Sequence, residues 1–255
     1  LHTTMLDKKK TDRNIMLLKK CIEDEPDTAY WWYHLGITYK AASMNKKAIS
    51  ALETWISKAE TISDSNQDLS IGYAAYIGCL IYEKLYNRIV EEAPKWDFTC
   101  KHNPDWNFNY AVALDAAGYP GKAVETLVRN EQLRGKPISV STYDADTVGW
   151  KMYAVKAGAL MKLGMLKEAT EAYKGAYHTN PTSIEIISAL FVNLVRLQDF
   201  QAAETVLERL FSMIGSSPVP EAVAKAHADL LLQQGKIEDA LFILSKFPEF
   251  NLIVA

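Results

Sequence analysis

The sequence of 255 residues has few of the features that mark membrane proteins or nucleic-acid-binding proteins. No uninterrupted apolar run approaches the roughly 20 residues that a membrane-spanning helix needs, so membrane insertion is not expected. The 28 Lys and Arg residues are balanced by 31 Asp and Glu residues, and a formal net charge of −3 provides no basic field to attract a phosphate backbone. We therefore expect neither a membrane span nor a nucleic-acid partner.

Cysteine is also scarce. Cys21, Cys79 and Cys100 leave one thiol unpaired in any disulfide scheme, and no two of them are spaced for a metal or redox motif. This usage predicts free thiols and a reducing, cytoplasmic location.

Motifs that carry chemistry are absent as well. The five histidines lie in different parts of the sequence, and no two are spaced to place two zinc ligands on one helix face. Gly118–Lys122 lacks the spacing of a phosphate-binding loop, and no serine lies in a nucleophile-elbow pattern. The sequence therefore predicts no catalytic residue, no cofactor and no metal.

The acidic pair Asp144 and Asp146 has two possible roles. Asp144 and Asp146 are one residue apart, as in the Asp-x-Asp signature with which many nucleotide-sugar transferases hold a divalent cation. The alternative is an acidic loop that caps a helix beginning between Thr147 and Trp150. Helical patterns flank the pair closely on both sides and no sheet-based nucleotide domain surrounds it, so the sequence favours the cap. The strand-like alternation of residues 138–143 lies in the same insertion, 131–148, and is interpreted as an extended loop.

An internal repeat is the strongest positive signal. Glycine and alanine recur five residues apart at Gly118 with Ala123, Gly164 with Ala169, and Gly235 with Ala240. A glycine at that place closes a tight turn between two helices, and an alanine lets their axes approach closely. Alignment on the alanine position adds units at Ala48 and Ala203, and a weaker one at Ile89 whose turn residue is Lys84.

Six units follow from this alignment. They start near residues 29, 70, 104, 150, 184 and 221, and two of the spacings equal 34 residues, the tetratricopeptide period. The predicted fold is all-α, a right-handed superhelix of about six helix pairs over residues 29–255. Residues 1–28 are predicted to form a linker and a half-repeat helix, with an apolar stripe at Ile15, Leu18 and Ile22.

The first unit carries a family resemblance. Trp32, Leu35, Gly36, Tyr39 and Ala48 follow the W-x-x-L-G-x-x-Y pattern and the later alanine of the repeat. The chain thus resembles the tetratricopeptide family, whose concave groove is lined by the first helix of each pair. That resemblance implies a protein or peptide partner and assigns groove positions in five units: Tyr30, Tyr33, His34 and Ile37; Phe108, Asn109, Val112 and Asp115; Lys151, Met161 and Lys162; Arg196; Lys225 and Gln233.

One mode of peptide binding is disfavoured by the sequence. Tetratricopeptide co-chaperones hold a terminal carboxylate with a lysine and an asparagine four residues apart in the first helix, whereas this chain has Tyr33 and Ile37 at the corresponding positions.

The amino-terminal stretch carries a second resemblance. Residues 1–36, with His2, an Arg13-Asn14-x-x-Leu17-Leu18 helix and Glu25-Pro26-Asp27, look like the junction in bacterial and viral family-2 glycosyltransferases where the nucleotide-sugar domain passes into tetratricopeptide repeats. The resemblance implies that the chain is part of a longer transferase, continuing from a domain that it does not contain.

Two functional hypotheses remain open. In the first, the chain is the non-catalytic carboxy-terminal module of a family-2 glycosyltransferase, where it positions an acceptor or mediates dimerisation. In the second, it is a stand-alone scaffold that binds a peptide or partner protein in its groove. The apolar tail with Phe247, Phe250 and residues 252–254 is expected to fold back on the last helix pair or to pack on another copy of the chain.

Overall fold

The computed structural model describes residues 2–59, 69–135, 143–215 and 217–246, with side chains described from residue 8 onward. Within these ranges the chain is built from α-helices and two short 3₁₀ turns, and it contains no strand. This agrees with the predicted all-α fold class.

Six helix pairs follow an amino-terminal helix, α1 (His2–Asp24). The pairs are α2 and α3 (Ala29–Ala41, Asn45–Ala59), α4 and α5 (Leu69–Tyr82, Tyr86–Glu92), α7 and α8 (Pro104–Ala116, Pro120–Leu133), α9 and α10 (Trp150–Lys162, Leu166–Thr179), α11 and α12 (Ile184–Arg196, Phe200–Ile214), and α13 and α14 (Glu221–Gln233, Ile237–Ser245). A one-turn helix, α6 (Asp97–Cys100), lies between the second and third pairs.

Each pair turns through one residue in the left-handed conformation. Gly118, Gly164 and Gly235 have φ values of 88°, 73° and 74°, which confirms the turn role predicted for these glycines. The residue after each turn donates its N–H to the carbonyl five residues earlier at 2.8 to 3.0 Å, and the turn residue donates to the carbonyl three residues earlier. These bonds satisfy carbonyls that the end of the first helix would otherwise leave unpaired.

The other three pairs adopt the same turn without glycine. Ser43, Lys84 and Gln198 have φ values of 58°, 58° and 63°. Lys84 was the weakest element of the predicted repeat, and the structure places it in the same conformation as the glycines. The turn is therefore imposed by the packing of the two helices, which outweighs the cost of about 1–2 kcal/mol for a side chain in this region.

A completely buried residue follows five positions after every turn residue. The six residues are Ala48, Ile89, Ala123, Ala169, Ala203 and Ala240, each with 0% of its surface exposed. The predicted spacing of five thus holds in all six pairs, because the short turn sets the register of the second helix against the first.

Helix α1 packs on the first pair through the predicted stripe. Ile15, Leu18 and Ile22 are partly buried against the core to which Leu35 and Tyr39 of α2 belong. Trp32 donates its indole N–H to the carbonyl of Pro26 at 3.1 Å, which fixes the connection between α1 and α2.

The chain divides into two compact units, residues 1–148 and 149–255. A run of aromatic rings in contact forms the centre of the first unit. Trp55 lies 5.2 Å from Tyr73, which stacks on Trp96 at 4.7 Å, and Trp96 lies 6.4 Å from Trp106. Trp55, Tyr73 and Trp106 belong to α3, α4 and α7, and Trp96 directly precedes α6, so the rings connect all three helix pairs of the unit.

The second unit, which contains α9 to α14, has a core to which α11 contributes the buried residues Ile187, Leu190, Phe191 and Leu194. Asn193 is also buried there and donates its amide to the carbonyl of Leu166 and the hydroxyl of Thr170.

Two expectations lie outside the described residues. The strand-like alternation falls largely on residues 138–142, and the apolar tail comprises residues 247–255. The side chain of His2 is likewise not among the side chains that the structure describes, which begin at residue 8.

Candidate functional site

A cavity of about 490 Å³ lies within the first unit, on the face formed by the first helices of its three pairs. Helix α2 contributes Tyr33, Ile37 and Lys40, and helix α4 contributes Ile71, Ala74 and Ala75. The remaining lining residues are Ala41, Asn103, Asp105, Asn109 and Tyr143.

Small residues of α4 provide the space. Ala74 and Ala75 present only methyl groups to the cavity, and the neighbouring Gly78 presents no side chain. A Cβ atom built on Gly78 would lie 3.3 Å from Nδ2 of Asn109 and 3.8 Å from Nζ of Lys40. The side chains of Lys40 and Asn109 therefore both approach Gly78, close to the place that a Cβ atom would occupy.

Two polar side chains in this cavity keep capacity for a ligand. Asn109 donates Nδ2 to the carbonyl of Ala74 at 3.2 Å, whereas its Oδ1 atom accepts no hydrogen bond from the described residues. Lys40 forms no ion pair with a described carboxylate, although its charge reaches Asp105 and Cys79. An amide acceptor and an ammonium donor beside apolar walls are suited to the N–H and C=O groups of a peptide backbone.

Asp105 is committed to the protein itself. It lies in the first turn of α7, which Asn103 caps by accepting the N–H groups of Asp105 and Trp106 at 2.9 and 3.2 Å. The Asp105 carboxylate accepts the N–H of Asp144 and the hydroxyl of Thr147. Asp105 thus ties the end of the 131–148 insertion to the edge of the cavity.

Burial shifts the pKa values of groups in the cavity and on the helices that form it. Desolvation raises the pKa of Asp105, and the hydrogen bonds from Asp144 and Thr147 oppose this effect because they stabilise the carboxylate. Burial also raises the pKa of the Cys79 thiol to about 11, so this thiol is protonated at neutral pH. The imidazole of His34 has a pKa below its ordinary value because it is partly desolvated.

The structure brings together only some of the residues assigned to the groove. Tyr33, Ile37 and Asn109 line the cavity. Tyr30 is half exposed and packs with His34, their ring centroids 4.2 Å apart, and neither lines it. Phe108, Val112 and Asp115 also lie on α7 but are not among its lining residues.

The remaining assigned residues belong to the second unit, where they lie on three first helices. Lys151 has its ammonium 5.7 Å from the Trp150 ring, and Met161 and Lys162 end the same helix, α9. Arg196 ends α11, and Lys225 of α13 pairs with Glu221 at 2.6 Å. Gln233 ends α13 and is exposed. Their role in binding stays a prediction.

Sequence reasoning missed Lys40, Asp105 and Tyr143. Lys40 lies one helix turn after Ile37, and Asp105 one turn before Asn109, so helical periodicity alone extends the assigned face to both. Tyr143 gave no such signal, because its place in the cavity depends on how the insertion folds back on α7.

The acidic pair has a structural role that differs slightly from the predicted one. Oδ1 of Asp144 accepts the N–H of Asp146 at 2.9 Å and so stabilises the 3₁₀ turn Ala145–Val148. Helix α9 begins afterwards at Trp150 with Gly149 at its N-cap position and no side-chain cap. The loop therefore caps the 3₁₀ turn, because the chain makes this extra turn before α9.

The residues that the structure describes contain no group of three or more His, Cys, Asp or Glu side chains placed to hold a metal ion. Among the same residues, no helix is both long enough and apolar enough to cross a bilayer.

Comparison with known proteins places the fold. No protein-family model matches the chain, and no curated protein matches it either. Among solved structures, YrrB, described as a TPR protein with an unusual peptide-binding site, has a TM-score of 0.61 at 13% identity, over 86% of this chain and 97% of that one.

Two further structures are similar. PilF from Pseudomonas aeruginosa has a TM-score of 0.62 at 12% identity, covering 86% of this chain and 92% of PilF. MamA from Desulfovibrio magneticus RS-1 has a TM-score of 0.60 at 14% identity, covering 75% of this chain and 97% of that MamA chain. At such identities the likeness establishes the fold, which is the tetratricopeptide fold predicted from the sequence.

Proposed function

We propose that this chain is a non-catalytic tetratricopeptide module that binds an extended segment of a partner protein in the cavity of its first unit. The observation that carries the proposal is the cavity itself. It joins an apolar floor from α2 and α4 to one ammonium group and one amide oxygen that the described residues leave available.

The chemistry of the lining favours a peptide over a small charged metabolite. Ile37, Ile71 and Ala74 offer apolar surface for a side chain, and Lys40 and Asn109 offer hydrogen bonds to the backbone beside it. The peptide-binding site named for YrrB, which shares the fold, supports the same class of ligand.

The test is selection of peptides followed by affinity measurement. Random short peptides displayed on phage are panned against the purified chain, and a selected peptide is synthesised with a fluorescent label for anisotropy titration. We expect saturable binding that Lys40→Ala weakens about tenfold, as loss of a charged hydrogen-bond donor implies. Lys46→Ala is the matched control, because Lys46 is an exposed lysine of α3 outside the cavity.

Two further variants separate the regions assigned to binding. Tyr33→Ala removes an aromatic wall of the cavity and should weaken the peptide, whereas Arg196→Ala tests whether the second unit also contributes. Failure to select any peptide, or equal affinity for wild type and Lys40→Ala, would contradict the proposal.

A second candidate function places the module in a larger enzyme. The resemblance of residues 1–36 to the junction of family-2 glycosyltransferases favours a carboxy-terminal module that positions an acceptor. The gene upstream of Leu1 decides this question: a sheet-rich nucleotide-sugar domain in the same reading frame supports the candidate, and a reading frame without one rejects it. A reducing, cytoplasmic location remains our expectation from the three free thiols.

Self-association is proposed on a separate observation. Among the described residues of α14, the large apolar side chains of Ile237 and Phe242 are 58% and 64% exposed. Sedimentation velocity of the purified chain would show a dimer if these side chains pack on another copy, and a monomer at all concentrations would exclude it.

A further inference from the structure

The end of the insertion between α8 and α9 forms one wall of the cavity. Residues 143–148 comprise Tyr143, Asp144 and the 3₁₀ turn Ala145–Val148, and they pack against α7 and α8. Tyr143 lines the cavity and remains 38% exposed, so its ring is available to a ligand.

Hydrogen bonds from α7 hold this wall in place. The N–H of Asp144 lies 3.0 and 3.3 Å from the two carboxylate oxygens of Asp105, and the Thr147 hydroxyl lies 2.9 Å from one of them. The turn of the segment is closed by the Thr147 N–H, which donates to the carbonyl of Asp144 at 2.9 Å.

A second attachment comes from α8. Asn130 is completely buried and donates Nδ2 to the carbonyls of Thr147 and Pro104 at 2.9 and 3.0 Å, while its Oδ1 accepts the amide of Asn107. Because α7 and α8 both hold the segment, the position of Tyr143 is set by the repeat and not by the loop alone.

We infer that Tyr143 is a ligand-contacting residue and that Asp105 is the positioning residue that keeps it in the cavity. This inference rests on the proposed function and deepens it by naming the ligand class. The segment bound is an extended peptide with an aliphatic or aromatic side chain, which packs on the Tyr143 ring and the apolar floor of Ile37, Ile71 and Ala74.

Asp105 acts through Tyr143 because its carboxylate is occupied by the donors of the segment. Loss of that carboxylate leaves the Asp144 N–H without its acceptor, whereas the Thr147 hydroxyl can still donate to the Asp144 carbonyl at 2.6 Å, so the amino-terminal side of the wall loses its attachment to α7. The effect on binding should therefore depend on whether the Tyr143 ring is present.

The experiment is a double-mutant cycle on the full chain, with a peptide selected from the random library as the probe. We expect Tyr143→Ala to weaken the peptide about tenfold, in the range of an aromatic hot spot, and Tyr143→Phe to retain most of the affinity. Tyr119→Ala is the control, since Tyr119 is an exposed tyrosine of the same unit outside the cavity.

The positioning role predicts non-additive effects. Asp105→Ala should weaken binding several-fold in the presence of Tyr143 and have no further effect in the Tyr143→Ala background. If the two fold-changes multiply in the double variant, Asp105 does not act through Tyr143 and the inference fails. Thr147→Val provides an independent variant if Asp105→Ala fails to fold, because it removes one donor to the same carboxylate at similar side-chain volume. We expect Thr147→Val to weaken binding only while Tyr143 is present.

Hydrogen exchange of the Asp144 amide provides a readout that needs no ligand. We expect this amide to exchange faster in Asp105→Ala than in wild type. An unchanged exchange rate would show that Asp105 does not hold the Asp144 N–H.

A peptide that binds wild type and Tyr143→Ala equally well rejects this inference alone. If no peptide is selected at all, the proposed function fails with it.

Discussion

The left-handed residue between the helices of a pair shows how one backbone conformation is used six times. Three glycines occupy it without strain, and Ser43, Lys84 and Gln198 occupy it with a side chain. The turn residue and the completely buried residue five positions later form one local unit, since the turn allows only one register of the second helix. Sequence patterns detect this unit best where it contains glycine and alanine.

Replacement of a turn glycine should lower stability. Gly164 has φ of 73° and open space around its Cβ position, so Gly164→Ala costs about 1 kcal/mol through backbone strain alone. Gly158→Ala is the matched control: Gly158 lies inside α9 with equal space, and alanine there should stabilise by about 0.5 kcal/mol. Urea unfolding followed by circular dichroism measures both, and a loss of equal size in the two variants would contradict the argument.

A second glycine matters because of close approach. A Cβ atom on Gly72 would lie 2.2 Å from the ring of Trp55, which is 1% exposed and cannot move aside freely. We expect Gly72→Ala to destabilise the first unit by about 1–3 kcal/mol, as overpacking of a core does.

The control for this change is Gly121→Ala, since Gly121 lies in the first turn of α8 with nothing within 4 Å of its Cβ position. The loss in Gly72→Ala should appear in the near-ultraviolet circular dichroism of the tryptophans as well as in the unfolding midpoint. Wild-type stability in Gly72→Ala would show that Trp55 can repack.

At the scale of the element, buried asparagines connect helices that hydrophobic packing only brings near. Asn130 joins α8, the start of α7 and the wall at Thr147, and Asn193 joins α11 to α10. Neither residue follows from the repeat pattern, because its partners are carbonyl groups whose positions depend on the assembled helices.

Asn130→Ala should therefore be costly. The change leaves the carbonyls of Thr147 and Pro104 without their donor in a buried site, and we expect a loss of about 2–3 kcal/mol in unfolding free energy. Asn87→Ala is the control at an exposed asparagine of α5 and should change stability by less than about 0.5 kcal/mol. Similar unfolding midpoints for the two variants would argue against the bridging role.

The burial of His227 makes stability depend on pH. His227 lies 5.6 Å from the Phe211 ring, and burial, aided by the charge of Lys236, lowers its pKa below the ordinary value of 6.5. The unfolded chain takes up this proton first as the pH falls, so the folded state loses stability from about pH 7 down to the lowered pKa. His34 in α2 contributes with the same sign.

Thermal unfolding at several pH values tests this dependence. We expect the melting temperature of His227→Gln to fall less between pH 7 and pH 5.5 than that of wild type, because glutamine binds no proton. His178→Gln, at an exposed histidine of α10, is the control. A profile for His227→Gln that parallels wild type would show that other groups set the acid sensitivity.

At the scale of the molecule, the chain consists of two compact units that meet in sequence at Val148 and Gly149. The core of the first unit, from Leu35 to Ala113, is complete within that unit. Repeat proteins derive their stability mainly from each repeat and its neighbours, so a unit with its own continuous core has what it needs to fold.

We expect residues 1–148 expressed alone to fold. The fragment should keep a helical circular dichroism spectrum and unfold cooperatively, because the described residues of its aromatic core all precede Val148. A fragment that lacks cooperative unfolding would show that the first unit depends on residues 149–255.

The sequence by itself determined the helix pairs, since each pair is a local structure encoded by a turn residue, a small buried residue five positions on, and helical periodicity. Together with the family resemblance it also assigned Tyr33, Ile37 and Asn109 to one face, and the structure places all three in the cavity, whereas their role in binding stays a prediction. The helices of the structure and the similar solved structures confirm the fold class, whereas the assigned limits of the array, 29–255, stay a prediction.

Only the tertiary structure decided which of the assigned residues share a cavity. Lys40 and Asn109 both approach Gly78 although 69 positions separate them in sequence, and Tyr143 reaches the cavity because Asp105 and Asn130 hold its segment. The hydrogen bonds of Asp105 and Asn130 join side chains to backbone groups that are distant in sequence. Periodicity carries no information about those bonds, because they form only when the helices that provide both partners have packed.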